Sequence, residues 1–285
     1  MSAPDGLPPL RDVIRDLNLS ARRSLGQNFL LDFNLTRRIA RAAGPLEQTT
    51  IVEVGPGPGG LTRALLLEGA DHVIAIEKDA RCLPALQAIA ERYPGRLQTI
   101  HADARAIDYA SLPLRSPARV VANLPYSVAT PLLIGWLKTS PWPPWFDRLV
   151  LMFQREVAAR IVAAPGSKDY GRLSVIAQWR AKTRVLFGIP AAAFTPRPKV
   201  DSSLVELTPH ATPEPPCDVQ GLERVTAAAF GQRRKMLRSA LRQLTPDSEA
   251  LLDKLGIDPR ARAEELDIAA FCRIANALKG LELGQ

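Results

Sequence analysis

The sequence predicts an α/β fold: a mostly parallel sheet with helices on both faces, followed by a small all-helical domain. Three observations predict it. β-Branched runs alternate with helical-period segments from Thr50 to Ala164. A Gly-rich turn follows the first of those runs. Beyond a Pro-rich stretch at 209–216, only helical periodicity remains. A chain of 285 residues holds one large and one small domain, and the boundary is read as 1–210 and 211–285.

The elements follow in order. Leu10, Val13, Ile14 and Leu17 recur at helical spacing. Asp32 is placed to cap a second helix, Phe33 to Ala43, which Gly44-Pro45 ends. Thr49 to Val54 reads as a strand and Leu61 to Leu67 as a helix. His72 to Ile76 is the next strand, Ala80 to Arg92 a helix, and Leu97 to His101 a strand. Ala118 to Ala122 is a strand, Thr130 to Lys138 a helix, Leu149 to Phe153 a strand and Arg155 to Ala164 a helix. Residues 183–189 and 202–208 read as two further strands. Between them, the prolines of Phe194-Thr195-Pro196-Arg197-Pro198 exclude regular structure. Pro141-Trp142-Pro143-Pro144-Trp145 reads as a surface loop, for a partner or for packing.

Composition narrows the class. Hydrophobic residues at 46% and charged residues at 23% suit a globular chain, and no apolar run is long enough to span a bilayer. Met1 to Leu10 lacks the basic start and apolar core of a secretion signal, so cytoplasmic residence is expected. Cys82, Cys217 and Cys272 are odd in number and scattered, and only His72, His101 and His210 are histidines. Neither a disulfide framework nor a metal site is expected. The net charge of +8 attracts polyanions, or it is only a basic surface.

Glu53-Val54-Gly55-Pro56-Gly57-Pro58-Gly59-Gly60 leaves a strand and opens a helix. Glycine lets the backbone turn sharply and approach a ligand with no Cβ in the way. The pattern is E-x-G-x-G-x-G, not the G-x-G-x-x-G of dinucleotide sites, and no Lys-Ser or Lys-Thr follows as in a P-loop. The plain alternative is a strand-to-helix turn. Two carboxylates favour a ligand. Glu77 ends the second strand, 22 residues after Gly55, where a carboxylate reaches ribose hydroxyls. Asp103 ends the third, where it can accept from an adenine amine. Asn123-Leu124-Pro125-Tyr126 ends the fourth strand on the same rim. The Asn side-chain oxygen and a backbone carbonyl such as that of Leu124 can accept the two N–H bonds of an exocyclic amine and localise its lone pair. Tyr126 offers a flat face for an extruded base.

The loop resembles motif I of class I S-adenosylmethionine methyltransferases, which are Rossmann-like, and the tetrapeptide resembles the D/N/S-P-P-Y/F motif of exocyclic-amine methylases. Gly26-Gln27-Asn28-Phe29-Leu30, Gly166 to Ser174, Phe194 to Ser202 and Phe230 to Arg238 extend the likeness from about Leu25 to the final helices. Together they resemble the small-subunit (16S) rRNA adenine N6,N6-dimethyltransferase family, the kasugamycin-sensitivity methylases. The resemblance implies S-adenosyl-L-methionine as cofactor, contacted by Asn28, Leu30, Gly55, Gly57, Glu77, Asp103 and Asn123. It implies catalytic roles for Asn123, Leu124 and Tyr126, and for Phe194 on the other face of a flipped base; a core Phe194 is the alternative. Gln27 to Leu30 would fold over the cofactor as a lid, with Gly26 as hinge. The implied substrate is a pair of adjacent adenines in the 3′-terminal hairpin loop of 16S rRNA, within an immature 30S subunit. A monomer is expected, with no membrane and no metal.

Arg233, Arg234, Lys235, Arg238 and Arg242 read as a basic stripe on one helix, with 234, 238 and 242 sharing a face that can track phosphates. A solvated face is the alternative. Three rival functions stand beside the main one. A 23S rRNA adenine N6-methyltransferase shares the fold, but the Gly-Ser-Lys-Asp-Tyr-Gly loop and the Gln-Arg-Arg-Lys segment favour the small-subunit family. A DNA amino methylase needs a larger recognition domain. A non-catalytic RNA-binding assembly factor need not retain Gly55, Glu77, Asp103, Asn123 and Tyr126 together.

Overall fold

The computed structural model describes residues 4–22 and 26–283. Leu25, where the family resemblance begins, lies outside the described residues. The elements are α1 (Leu10–Asp16), β1 (Phe29–Leu30), α2 (Phe33–Ala42), β2 (Thr50–Val54), α3 (Gly60–Leu67), β3 (His72–Glu77), α4 (Leu83–Arg92) and β4 (Leu97–His101). β5 (Ala118–Ala122), α5 (Tyr126–Leu137), β6 (Arg148–Gln154), α6 (Arg155–Val162), α7 (Arg172–Arg180), β7 (Ala181–Ile189), β8 (Phe194–Thr195) and β9 (Ser202–Pro209) follow. α8 (Val219–Gly231), α9 (Leu237–Leu241), α10 (Ser248–Lys254) and α11 (Ile268–Leu283) complete the chain.

Two compact units divide it. The first takes residues 1–135, 144–158 and 184–208; the second takes 136–143, 159–183 and 209–285. Its last segment begins at 209, beside the boundary read from the Pro-rich stretch, and two earlier segments join it.

The first unit is built on a seven-stranded sheet of order β4-β3-β2-β5-β6-β9-β7. β4, β3, β2, β5 and β6 run parallel, and β9 runs antiparallel to β6. β2 and β5 are buried along their whole length, as central parallel strands covered on both faces must be. Their apolar residues therefore run on without alternation. The chain steps from β2 to β3 on one side and later to β5 on the other. That reversal is a topological switch point, and it opens a crevice at the carboxyl ends of β2 and β5. α2 and α3 pack in the same core through Ile39, Ala40, Leu61 and Leu65. Asp32 caps α2 as its sequence position predicts, accepting from Asn34 N at 2.8 Å.

Four sequence expectations need correction. The helix expected from Thr130 begins at Tyr126, because Pro125 starts it: its carbonyl accepts from Val128 N and Ala129 N at 3.0 and 3.1 Å. The polar Gly-punctuated loop gives way at Arg172 to α7, whose first turn is tied by Gly171 N donating to Ser174 Oγ at 3.0 Å. The segment around Phe194 is not wholly irregular, since Phe194–Thr195 pairs antiparallel with Phe29–Leu30. The single-helix basic stripe is absent. α8 stops at Gly231 and Gln232 leaves helical geometry; after a turn, α9 starts at Leu237. Arg233, Arg234 and Lys235 lie in that turn, Arg238 lies in α9 and Arg242 caps its end. The break comes at Gln232, whose φ of -125° and ψ of 47° turn the chain away. Arg233 then pairs with Glu264 and Arg238 with Glu249, while Arg234, Lys235 and Arg242 are exposed.

The second unit packs α7 to α11 around Leu222, Val225, Phe271 and Ile274. Tyr170 meets Phe230 edge-on at 5.9 Å, and Phe230 meets Phe271 at 5.5 Å. Two tryptophans of the Pro- and Trp-rich stretch make contacts within the chain. Trp145 stacks on Tyr109 at 5.2 Å in the first unit, and Trp142 donates to His210 O at 2.7 Å in the second. Among the described residues, no helix is long and apolar enough to cross a membrane, and no group of three or more His, Cys, Asp or Glu is placed to hold a metal ion.

Candidate active site

Sheet register assembles the site. Pairing of β2 with β5 sets the loop after Val54 beside the turn after Ala122. Pairing of Val54 with Ile76 brings Glu77 alongside, and pairing of Glu77 with His101 brings the residues that lead to Asp103. All four segments open onto one cleft of about 360 Å³. Asn28, Leu30, Gly55, Gly57, Glu77, Asp103, Asn123, Leu124 and Tyr126 all line it. Phe194 does not. It is 3% exposed, sits in the core, and its backbone pairs with Leu30. The basic residues 233–242 belong to the second unit.

The Gly-rich loop needs its glycines. Gly55, Gly57 and Gly59 have φ of 68, 56 and 88°, a region that side chains disfavour. A Cβ at Gly59 would stand 2.2 Å from Ile89 Cδ1, and one at Gly57 would stand 3.2 Å from Phe29. The loop therefore runs bare-backboned between α4 and the lid strand.

Glu77 organises the loop. Its Oε2 accepts from Gly57 N at 2.8 Å and its Oε1 from Asp79 N at 2.7 Å. Burial pushes its carboxyl up, while these two backbone donors pull the other way. Each oxygen keeps a second lone pair for a ribose hydroxyl. Asp103 sits at the rim, where its Oδ2 pairs with Arg105 at 2.7 Å and Lys78 at 2.9 Å. Arg105, ahead of Lys78, holds its carboxyl well below the usual carboxylate range. Asp103 also caps a short 3-10 turn through Arg105 N at 3.0 Å, so its side chain is fixed in place.

Asn123 Nδ2 donates to Asn28 O at 3.2 Å. A backbone carbonyl only accepts, so this contact assigns the amide orientation and leaves the Asn123 oxygen as an acceptor on the cleft wall. Leu124 is buried beside it. The Tyr126 hydroxyl shares a 2.6 Å hydrogen bond with Ser202 Oγ, which fixes the ring at the cleft.

Contacts that sequence reasoning missed hold the segment expected to act as a lid. Gln27 Nε2 donates to Asp79 Oδ2 at 3.0 Å, and Gln27 Oε1 accepts from Arg22 N at 2.9 Å. Arg81 bridges the same Asp79 carboxylate at 2.6 Å and reaches Ser20 O at 3.3 Å. Further upstream, Arg63 of α3 grips Asp5 through two bonds of 2.7 and 2.6 Å, both residues being buried. That clamp lays the N-terminal segment across α3 and brings Leu10 into the cleft wall. The proximity of Asp79 to Glu77 was a local signal. Asp5 offered none, because 58 residues separate it from Arg63.

A sheet of this order, with five parallel strands, β9 reversed beside β6 and a bare glycine loop at the switch point, is the architecture of class I S-adenosylmethionine-dependent methyltransferases. The residues fit the cofactor, with a buried carboxylate beside the loop and amide and carbonyl acceptors on the opposite wall. Among solved structures, a dimethyladenosine transferase from Plasmodium falciparum superposes with a TM-score of 0.72, at 23% identity, over 86% of this chain and 95% of that one. The 23S rRNA methyltransferase ErmE superposes at 0.64, at 25% identity, over 88% and 100%. The ribosomal RNA small subunit methyltransferase A of Xanthobacter autotrophicus is 61% identical over 284 residues, covering 100% of this chain and 98% of the relative. Its namesake in Azorhizobium caulinodans is 62% identical over 277 residues, covering 97% and 95%. The ribosomal RNA adenine dimethylase family matches residues 18–280, and the chain belongs to that family. It is an S-adenosylmethionine-dependent rRNA adenine methyltransferase.

Proposed function

We propose that this chain dimethylates N6 of two adjacent adenines in the 3′-terminal hairpin loop of 16S rRNA, with S-adenosyl-L-methionine as methyl donor. The substrate is the RNA within an immature 30S subunit, and the enzyme acts in the cytoplasm as a monomer. The observation that carries the reading is the Asn123 amide, oriented by Asn28 O so that its oxygen is the acceptor at the cleft. An adenine amine is a poor nucleophile because its lone pair is delocalised into the ring. Acceptance of its two N–H bonds by Asn123 Oδ1 and the Leu124 carbonyl localises that lone pair and directs it across the cleft. When bound, the cofactor supplies an already activated methyl group. Tyr126, held by Ser202, is the stacking face for the extruded base.

Asn28, Leu30, Gly55, Gly57, Glu77 and Asp103 form the cofactor side of the same cleft. Phe194 acts from behind the lid strand, by keeping Leu30 in place. Arg234, Lys235 and Arg242 supply exposed phosphate contacts, with Arg233 and Arg238 as paired flanks. Relatives above 60% identity named for the small subunit, against 25% for the 23S enzyme, support the small-subunit assignment.

The test is incubation of the protein with unmethylated 30S particles and labelled cofactor, followed by mass-spectrometric mapping of modified nucleotides. Dimethyladenosine at two neighbouring positions near the 3′ end is expected. Label confined to 23S rRNA would transfer the assignment to the large subunit. A folded, cofactor-binding protein that labels nothing would be an assembly factor.

A further inference from the structure

The Trp142 stretch and the linker after residue 209 do not line the cleft. In the second unit they converge on a pair of thiols. Arg180, at the end of α7, is buried with its guanidinium between Trp142 at 4.3 Å and Trp179 at 4.4 Å. Its Nε makes no hydrogen bond, and burial draws its pKa down, opposed by Cys217. The linker is pinned over this sandwich. Trp142 Nε1 donates to His210 O at 2.7 Å, and His210 N donates to Arg180 O at 2.9 Å. Trp179 Nε1 donates to Pro215 O at 3.0 Å, and Asn276 Nδ2 of α11 donates to Pro216 O at 2.8 Å. Cys217 comes next. Its Sγ lies 3.9 Å from Cys272 O and 3.4 Å from Asp218 O, which sets it against the residue that carries the second thiol.

We propose that Cys217 and Cys272 form an oxidative modification site, in which Cys217 reacts with a hydroperoxide and Cys272 resolves the product to an intramolecular disulfide.

The pair has the polarity this needs. Cys217 is partly exposed, whereas Cys272 is fully buried on α11. The neighbouring Cys272 draws the Cys217 thiol down, helped by Lys279 and Arg180 against burial and Asp218. Cys217 and burial push the Cys272 thiol up. Cys82 lies apart in the first unit, where burial pushes its thiol up to about 12, so it stays inert.

In the first step the Cys217 thiolate attacks one peroxide oxygen and the O–O bond breaks. The leaving oxygen takes a proton and departs as water or an alcohol, and Cys217 becomes a sulfenic acid. The Cys272 sulfur then attacks the Cys217 sulfur and the S–O bond breaks. Hydroxide leaves as water with the Cys272 proton. Two thiols are oxidised by two electrons in total and one peroxide is reduced. The disulfide ties the residue before the α8 cap, Asp218, to the second turn of α11. The pinned linker keeps the resolving thiol within reach, so closure outruns further oxidation.

The test exposes the purified full chain to hydrogen peroxide and maps tryptic peptides without reduction. A linked peptide joining Cys217 and Cys272 is expected, lighter by about 2 Da than its two halves and reversed by dithiothreitol. Cys82 should remain alkylatable after denaturation. Cys272→Ser, treated with peroxide and dimedone, should carry the adduct on Cys217; Cys217→Ser should give neither adduct nor link. The proposal is overturned if both thiols survive oxidant in the wild type, or if Cys217 proceeds to sulfinic acid while Cys272 stays reduced. A linked wild type whose adduct in Cys272→Ser falls elsewhere overturns the assignment of Cys217 as the reacting thiol. Should a serine variant not fold, the wild-type peptide map alone decides.

Discussion

Asn123 reaches across the cleft to the backbone of Asn28, its side-chain nitrogen 3.2 Å from that carbonyl. One contact thus joins the segment before β1 to the residue proposed as acceptor for the target amine, and its loss would leave the Asn123 amide free to rotate. Asn123→Ala removes the acceptor and one lid contact. Turnover should fall about 10²–10³-fold. Cofactor affinity should fall by only about tenfold, the worth of one such hydrogen bond. Stopped-flow transfer rates and titration calorimetry separate the two effects, and unchanged turnover would remove the amine-positioning role.

The lid has a second attachment, from Gln27 to Asp79, whose backbone also holds Glu77. Asp79 is charged, because Arg81 draws its carboxyl down to about 2. A hydrogen bond to a charged partner is worth more than a neutral one. Gln27→Ala should weaken S-adenosylmethionine binding by about tenfold and leave the rate at saturating cofactor within about twofold. A fall in that rate with affinity intact would contradict a docking role.

Glu53 lies in β2 with Thr62 donating to it at 2.6 Å, and burial pushes its carboxyl up to about 8. Unfolded, the group ionises near 4.5. Between those values the native state holds a proton that the unfolded chain has released, so this group lowers stability as pH rises from 4.5 to about 8. Above that range its effect is constant. Glu53→Gln still accepts from Thr62 and cannot ionise. Its urea midpoint should vary less than the wild type's between about pH 5 and about pH 8. Parallel curves for the two proteins would show that Glu53 ionises normally.

Arg234 is exposed in the turn after α8, whereas Arg238 is engaged by Glu249. The double change Arg234→Glu with Arg238→Glu should weaken RNA binding and flatten its salt dependence by about two counterions, with cofactor affinity unchanged. Equal RNA affinity at physiological salt would mark the segment as solvated surface only.

The order of strands and helices was legible because β-branched runs and helical periods recur locally, and five parallel strands came out close to their observed bounds. The site was legible for the same reason. Glu77, the approach to Asp103, and Asn123 each end a strand, and parallel strands deliver their carboxyl ends to one rim. Chain contacts between distant segments were not legible. Asp5 on Arg63, Gln27 on Asp79 and Phe194 against Leu30 depend on loops whose paths no local periodicity encodes. The basic stripe failed at Gln232, where the chain leaves helical geometry although the spacing rule assumes one continuous helix. Sequence by itself determined which chemistry the chain carries, since residue type and strand-end position suffice for that. Tertiary structure alone decided how the lid is fastened, which way the Asn123 amide faces and where Cys217 meets Cys272, because each is a contact made only when the whole chain has closed.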